Sequence, residues 1–371
     1  MAKNKKYYSL KELYGVDAQY NILFGERSNG KSYSVREMIL YTAYHEKDFF
    51  TRKKVSDYQF GYVRRWDLEL KGESIERYFD VFVQDADGNR RIYDMTGGEY
   101  SCISVYRKSI YFANVDEETG KVIRGKLIGK AFALTGDTHY KSLDFPLVGR
   151  LVFEEFITDS GYLANEPKKL MSLVSTVFRR RPGKIFMIGN TLSRDCPYFG
   201  EWFDHSILKM KQGEIRVYDR KEEETTVRIA VEYCESNAEK SNTMFFGASA
   251  KMINSGTWDS EDQPHLENDL DTYITKFIMF VEHAGLCYML RILYDRDDNN
   301  TFLYVSPHTT EIRNREKTRV ITDKFSLSPY HSDRLLTDIF YCDTIILDLI
   351  RRGKVVFSDN LTGTEFKRLS L

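Results

Sequence analysis

The feature that most constrains this chain is the octapeptide Gly-Glu-Arg-Ser-Asn-Gly-Lys-Ser at residues 25–32. It follows a short apolar run, YNILF at residues 20–24, and it overlaps the start of residues 31–45, where apolar positions recur at helical spacing. A strand, a glycine-rich turn and a helix in this order match the phosphate-loop pattern G-x-x-x-x-G-K-[ST]. The motif therefore predicts an α/β domain with a parallel-sheet core, as in P-loop NTPases.

The fixed positions of this motif have separate physical tasks. Gly25 and Gly30 permit the tight turn that aims backbone N–H groups at phosphate oxygens. Lys31 is predicted to reach the β- and γ-phosphates of ATP, and the Ser32 hydroxyl to ligate Mg²⁺. The other predicted nucleotide-binding positions of the loop are Glu26, Arg27, Ser28 and Asn29. The Arg27 guanidinium either contacts the γ-phosphate or is a solvated loop arginine.

A second apolar strand ends in two carboxylates. Residues 147–153 (LVGRLVF) predict a buried strand that closes on Glu154 and Glu155. Hydrolysis needs a carboxylate near the Mg²⁺ and a residue that orients the attacking water, so we assign these tasks to Glu154 and Glu155 respectively. The next strand, residues 184–189, ends at Asn190, which either senses the γ-phosphate or caps its own turn. Two surface glutamates at a strand end are the alternative interpretation of the acidic pair.

A basic cluster lies between these two strands in sequence. Arg179, Arg180 and Arg181 close a partly apolar helix predicted around residues 165–179. In this enzyme class an arginine, often from a neighbouring subunit, neutralises charge in the transition state. Arg179 or Arg181 is the candidate for this role, and Lys141 is a weaker one. A solvated basic helix end is the alternative.

The remainder of the chain predicts a β-rich insertion and a second domain. Residues 80–134 hold turn signals among the runs VFVQ, RRIYDM, SIYFANV and GKLIGKAFAL, which predict hairpins within the first domain. The polar residues 206–255 predict a linker or hub, so the expected domains are 1–205, 206–255 and 256–371. The last is predicted to be a smaller α+β domain.

Three elements are expected in that C-terminal domain. Residues 274–306 predict a three-strand meander. A helix is predicted to start near Ser332 and to stop at Gly353, and a short strand, VVF, follows it.

Net charge, cysteine spacing and the distribution of apolar residues argue against a protein that coats nucleic acid, a zinc or disulfide framework, a membrane protein and a secreted protein. The formal net charge is -1, whereas a protein that coats nucleic acid is usually basic, so DNA contacts would have to come from local patches. Arg64-Arg65 is one such patch, and it is either a solvated face or a DNA contact. The five cysteines show no CxxC spacing, which argues against a zinc site or a disulfide framework. The sequence lacks the long apolar run of a membrane span and a secretory signal.

Several stretches together resemble one protein family. In chain order they are GERSNGKSY, YVRR at residues 62–65, GKLIGKAFAL, LVFEEFI, LVSTVFRRR and IGNTLS. They are similar to the genome-packaging ATPases of small tailed phages of the phi-twenty-nine-like group. The resemblance covers about residues 15–205 and is faint in the C-terminal meander and final helix.

This resemblance implies a terminase-like ring motor, a homopentamer at the portal vertex of a viral procapsid, that drives double-stranded DNA inward. Such a motor would work in the host bacterial cytoplasm and be absent from the mature virion. The family's familiar members also use a structural RNA ring. The resemblance further implies the additional-strand, catalytic-glutamate branch of P-loop enzymes and a degenerate RNase H-like C-terminal domain that binds DNA or portal.

Carried over by residue, the resemblance gives nucleotide and Mg²⁺ binding to Lys31 and Ser32, and the metal and catalytic carboxylates to Glu154 and Glu155. It makes Arg179 or Arg181 the arginine that acts on a neighbour, and Lys141 a lysine that acts between subunits. The chain departs from the family at Glu154, where the family has Asp.

Two other functions fit the phosphate loop. A different P-loop NTPase or phosphotransferase, such as a small-molecule kinase, would need a lid and a substrate pocket, and the β-rich insertion and the arginine cluster argue against it. A non-hydrolysing nucleotide-binding assembly protein is the other alternative. The presence of Lys31 and Glu155 argues against that one.

Overall fold

The computed structural model describes residues 8–27, 29–116, 118–140, 142–158, 161–194, 196–203, 206–222, 225–235, 261–283, 286–337 and 339–369. The chain divides into two compact units. The first comprises Met1–Thr191 and Met210–Lys240, and the second comprises Leu192–Lys209 and Ser241–Leu371. No helix in the described part of the chain is long and apolar enough to cross a membrane.

The elements of the first unit, in chain order, are α1 (Lys11–Gly15), β1 (Tyr20–Gly25), α2 (Lys31–His45), β2 (Gln59–Arg64), a 3-10 helix (Asp67–Leu70), α3 (Gly72–Tyr78), α4 (Asp80–Val83), α5 (Arg91–Met95), β3 (Cys102–Tyr106), β4 (Ser109–Val115), β5 (Val122–Ala133), a 3-10 segment (Leu134–Tyr140), β6 (Val148–Glu154), α6 (Glu166–Phe178), β7 (Lys184–Asn190), β8 (Ile215–Glu222) and β9 (Thr225–Tyr233).

Within the described residues these strands form one nine-stranded sheet in the order β3-β4-β5-β2-β6-β7-β1-β9-β8. The six strands from β5 to β9 in this order run parallel, and an antiparallel strand or hairpin extends each side. All residues of β1 and β6 are buried. Continuous apolar burial is typical of parallel strands covered on both faces. The predicted parallel-sheet core is therefore confirmed.

Two of the predicted β-rich runs are helical instead. VFVQ lies largely in α4 and RRIYDM in α5. Each of these short helices buries one apolar side chain completely, Phe82 in α4 and Ile92 in α5. The true hairpin strands, β3 to β5, continue the main sheet through the pairing of β5 with β2, so they extend the sheet rather than interrupt it.

The linker predicted over residues 206–255 is also wrong in part. Residues 215–233 form the hairpin β8–β9, and β9 pairs in parallel with the phosphate-loop strand β1. Ala230 and Val231 are fully buried there. The charged residues on the exposed face of this hairpin hid its short apolar segment. Residues 236–255 of the predicted linker lie outside the described residues.

The elements of the second unit are α7 (Pro197–Phe203), a 3-10 helix (Ser206–Lys209), a 3-10 helix (Leu270–Thr272), β10 (Ile274–His283), β11 (Leu286–Asp295), β12 (Asn300–Pro307), a 3-10 helix (Arg315–Lys317), β13 (Val320–Thr322), β14 (His331–Ser332), α8 (Tyr341–Arg351), β15 (Val355–Phe357) and α9 (Asn360–Phe366). Among its described residues the strands form a sheet in the order β14-β13-β10-β11-β12-β15.

The antiparallel strands β10 to β12 confirm the predicted meander, and β15 confirms the predicted VVF strand. The final helix starts at Tyr341, however, and not near Ser332, which lies in β14. Asp343 explains the late start. Its buried carboxylate accepts from the Leu336 N–H at 2.8 Å and pairs with Arg319, and this bond holds the preceding segment outside the helix.

Candidate nucleotide-binding site

The phosphate loop joins β1 to α2 as predicted. Gly25 closes β1 with φ 148°, and Gly30 precedes α2 with φ 100°, a backbone region that favours glycine. At Gly25 a Cβ atom would lie 3.0 Å from the Cys234 carbonyl oxygen, so space also restricts this position to glycine. Arg27 is exposed, and Ser28 lies outside the described residues. The helix that begins at Lys31 directs its amino end toward the loop, where an anion is stabilised.

Lys31 is a buried cation, only 4% exposed. Its Nζ donates to the Glu26 carbonyl oxygen and, at 3.2 Å, to Asn29 Oδ1. Burial lowers the pKa of Lys31, while the nearby Cys234, Glu154 and Glu26 oppose that shift. An ammonium group held by neutral acceptors in a buried place is well suited to receive a polyanion, because a full negative charge offsets its desolvation.

Asn29 links the loop to the elements behind it. Its Oδ1 accepts from the Lys31 backbone N–H at 3.2 Å, and its Nδ2 donates to the Glu235 carbonyl at 3.4 Å. Its own carbonyl accepts from the Tyr8 N–H at 3.0 Å. Hydrogen bonds to two other segments of the chain, at Tyr8 and Glu235, therefore stabilise the loop.

Glu154 ends β6 directly beside the start of α2. Its side chain is almost fully buried, and Oε2 accepts from Ser32 Oγ at 3.2 Å while Oε1 accepts from the Tyr78 hydroxyl. Burial raises the pKa of Glu154, although the hydrogen bonds from Tyr78 and Ser32 and the charge of Arg36 lower it. The carboxylate thus faces the phosphate loop, as the sequence predicted.

The residues at this point fit Mg²⁺. Adjacent ligands in an octahedral Mg²⁺ shell are about 3 Å apart, and Ser32 Oγ and Glu154 Oε2 are separated by a similar distance, 3.2 Å. Among the described residues no cluster of three or more His, Cys, Asp or Glu side chains offers a metal site. Mg²⁺ here would therefore take its other ligands from nucleotide phosphates and water, as it commonly does.

Glu155 differs from Glu154 in its backbone conformation and in its exposure to solvent. It has φ 57°, a region that costs a non-glycine residue about 1–3 kcal/mol. Its side chain is 60% exposed, and the carboxylate is 2.7 Å from Arg64 Nη2. Arg64 also pairs with Glu69. The strained turn directs Glu155 out of the sheet edge, where a water molecule can reach it.

The Arg65 side chain fixes this strained turn. It is 5% exposed and forms a two-pronged ion pair with Glu166, with contacts of 2.7 and 2.9 Å. It also donates to the carbonyl oxygens of Glu155 at 3.2 Å and Phe156 at 3.0 Å. Arg65 is therefore neither part of a solvated face nor available to DNA, and Arg64 is also mostly buried and paired with Glu69 and Glu155. One sequence signal could have indicated the role of Arg65. It directly follows the strand β2, and β2 pairs with β6, the strand that ends in the two glutamates.

Asn190 ends β7 and lies directly opposite Gly25 in the parallel register. The following residue, Thr191, donates its N–H to the Gly25 carbonyl at 3.3 Å. The carboxyl ends of β1, β6 and β7 thus bring the phosphate loop, the acidic pair and Asn190 to one edge of the sheet, which we call the phosphate edge.

The arginine cluster lies at the opposite edge, which we call the amino edge. Helix α6 returns the chain to the start of β7, so residues 179–183 lie beside the amino ends of β6 and β7. Arg181 donates to the carbonyls of Phe145, Pro146 and Val177, each at 2.9 Å. Arg179 is half exposed and pairs with Asp144 at 3.1 Å. Lys141 lies outside the described residues.

Comparison with known proteins gives independent information. Residues 112–249 match a family described as Podovirus DNA encapsidation protein (Gp16). A DNA packaging protein of Bacillus phage B103 is 31% identical over 187 residues, which cover 49% of this chain and 47% of that protein. A DNA packaging protein of Bacillus phage phi29 is 28% identical over 197 residues, or 52% of this chain and 49% of that protein. The chain spans about half the length of the curated relatives it matches.

A solved structure is similar over more of the chain. The bacteriophage Phi-29 viral genome packaging motor assembly contains a chain that is 20% identical, with a TM-score of 0.52, and the match covers 96% of each chain. At this identity the likeness concerns the fold, a mixed α/β architecture with a parallel-sheet core.

Proposed function

We propose that this chain is an ATP-hydrolysing subunit of a ring motor that moves double-stranded DNA into a viral procapsid. The observation that carries the chemical part is the contact between Ser32 Oγ and Glu154 Oε2 at 3.2 Å, directly beside the buried Lys31 ammonium. A hydroxyl, a carboxylate and a cation in this arrangement suit a nucleoside triphosphate with Mg²⁺.

Each residue of the phosphate edge has a role in this proposal. Lys31 binds the β- and γ-phosphates in place of its present carbonyl and amide partners. Ser32 and Glu154 would hold Mg²⁺, which neutralises phosphate charge when bound. Glu155 orients the attacking water and accepts its proton, and this requires the carboxylate to separate from Arg64. Asn190, opposite Gly25, is positioned to respond to the γ-phosphate.

Arg179 is the better candidate for action on a neighbouring subunit. Its side chain is 49% exposed and contacts Asp144 and the Leu143 carbonyl, whereas the less accessible Arg181 guanidinium donates to three carbonyls of its own chain. Both residues lie at the amino edge, away from the phosphate loop of the same chain. An arginine there can reach a nucleotide only across a subunit interface. Lys141 remains a candidate for the same interface.

The DNA part of the proposal rests on the relatives that are named DNA packaging proteins. A near-neutral chain, with formal net charge -1, suits a motor that must release DNA in each cycle. A pentameric ring, the portal of the procapsid and a structural RNA are the proposed partners. The host cytoplasm and the portal vertex are the proposed locations.

Strand order supports the finer fold assignments. Strand β7 lies between β1 and β6, as expected for the additional-strand branch of P-loop enzymes. In the second unit β13 is parallel to the first strand of the meander, β10, and β14 is parallel to β13. This arrangement supports an RNase H-like domain, which we propose contacts DNA or portal.

ATP hydrolysis by the wild type and Glu155→Gln, with and without double-stranded DNA, tests the proposal. We expect slow basal turnover that DNA stimulates in the wild type, and a kcat about 10²–10⁴-fold lower in Glu155→Gln with nucleotide affinity retained. Glu69→Gln is the matched control, because Glu69 pairs with the same Arg64. It should stay within about fivefold of wild type, since Glu69 contacts Arg64 and the Trp66 N–H but has no contact with the attacking water in this proposal. Equal turnover in Glu155→Gln and wild type would refute the assignment.

A further inference from the structure

We infer that Tyr78 is a positioning residue that orients the Glu154 carboxylate toward the metal, and that Arg36 holds Tyr78 in place for this task. The inference rests on the proposed function, because it concerns the site where Mg²⁺ would accompany ATP. It names two residues outside the phosphate loop and the acidic strand. Tyr78 ends α3, and Arg36 lies in α2.

The contacts around Glu154 form a closed cycle of four residues. The Tyr78 hydroxyl donates to Glu154 Oε1, and Ser32 Oγ donates to Oε2. Arg36 Nε donates to the Ser32 carbonyl at 3.0 Å, and its Nη1 donates to the Tyr78 carbonyl. The Arg36 guanidinium also lies 4.6 Å from the centre of the Tyr78 ring. The two proposed metal ligands, Ser32 and Glu154, are thus connected on both sides.

The length of the Glu154 side chain explains why its carboxylate needs a partner that fixes its orientation. Glutamate has one more rotatable bond than aspartate, so a carboxylate at this position has more orientations to lose when it meets a cation. Tyr78 occupies one oxygen and directs the other to Ser32. A hydrogen-bonding partner of a metal ligand usually fixes the orientation of that ligand in this way, and its loss typically costs 10–100-fold in metal affinity.

The same chemistry occurs elsewhere in the first unit and provides a matched control. The Tyr14 hydroxyl donates to the largely buried carboxylate of Asp48, which also pairs with Arg150. Asp48 and Arg150 lie at the amino edge, since Arg150 is near the start of β6. Tyr14→Phe therefore removes a tyrosine–carboxylate bond of the same kind, at a distance from the phosphate loop.

The test is the Mg²⁺ dependence of nucleotide binding, measured with a fluorescent ATP analogue (mant-ATP) titrated with MgCl₂. We expect Tyr78→Phe to need about tenfold more Mg²⁺ for half-maximal binding than the wild type. In EDTA the two proteins should bind mant-ATP equally, and Tyr14→Phe should match the wild type in both conditions. An unchanged Mg²⁺ requirement in Tyr78→Phe would overturn the inference. A wild type that does not bind mant-ATP at all would instead overturn the proposed function.

Two further variants keep the test decisive if Tyr78→Phe folds poorly. Arg36→Lys keeps the charge but loses the planar fork that bridges Ser32 and Tyr78. We expect it to raise the Mg²⁺ requirement severalfold, and no change would count against the role of Arg36. Glu154→Asp cannot reach Tyr78 and the metal in the same way, so adding Tyr78→Phe to it should change the requirement less than about twofold. Full additivity of the two substitutions would contradict a positioning role.

Discussion

The two edges of the large sheet use similar residues in opposite ways. At the amino edge the Asp48 carboxylate accepts from the N–H groups of Phe50 and Thr51 at 3.1 and 2.8 Å and pairs with Arg150 at 3.2 Å. Opposite charges compensate each other there. At the phosphate edge Lys31 is bound by neutral acceptors, and Glu155 is held at a positive φ with its side chain 60% exposed, although it contacts Arg64. The first arrangement favours the folded state, and the second leaves charge available for a ligand.

Substitution at the amino edge should therefore affect stability and not binding. We expect Arg150→Met to lower the free energy of unfolding by about 3 kcal/mol, because it leaves the buried Asp48 charge without its cation. Denaturant unfolding followed by circular dichroism measures this loss. Mant-ATP affinity of the folded protein should be unchanged. A large loss of affinity would show that the two edges do not have separate roles.

The opposite result is expected at the phosphate edge. Lys31→Met should weaken binding of Mg²⁺-ATP about a hundredfold, equivalent to about 2.7 kcal/mol, because a charge-assisted contact with phosphate is lost. The free energy of unfolding should change by less than about 1 kcal/mol. The substitution removes the buried Lys31 charge, whose hydrogen-bond acceptors are neutral, and with it the cost of burying that charge. Calorimetric titration and denaturant unfolding of the same sample give both quantities. Loss of stability without loss of affinity would make Lys31 a structural residue.

The smallest expected effects separate the two arginines of the amino edge. Arg181→Ala should destabilise the first unit by about 1–2 kcal/mol, because three carbonyls lose a charged donor and two of these contacts, with Phe145 and Val177, are half-buried. Arg179→Ala should change stability by less than about 0.5 kcal/mol, because its contacts with Asp144 and with the Leu143 carbonyl are both exposed. Thermal unfolding of both variants decides the matter. Equal destabilisation would remove the structural reason for preferring Arg179 as the arginine that acts on a neighbour.

Local patterns predicted the parts of the site that depend on nearby residues. The loop at residues 25–32, helix α2 and the burial of the strand before Glu154 follow from spacing and from continuous apolar runs. The partners of these residues come from distant segments and carry no local pattern. Tyr78 is 76 residues from Glu154, and Arg65 is 101 residues from Glu166.

The errors in the predicted fold have a related cause. Strand β9 was missed because its parallel partner, β1, is about two hundred residues away in sequence, as in the pairing of Tyr20 with Ile229. A strand beside such a partner needs few apolar residues of its own. The segments of α4 and α5 are rich in β-branched and aromatic residues, which favour strands, and so they were predicted as strands. This preference is weak, and tertiary packing overrides it here.

The most direct test of the central claim, that the amino edge of one subunit completes the phosphate edge of its neighbour, is a mixing experiment. Glu155→Gln and Arg179→Ala subunits are each expected to be inactive in DNA-stimulated ATP hydrolysis. In an equal mixture half of the sites keep Glu155 and half of their neighbours keep Arg179, so turnover should recover to about a quarter of the wild-type rate for independent sites in a symmetric ring. A mixture no more active than either variant alone would contradict the claim.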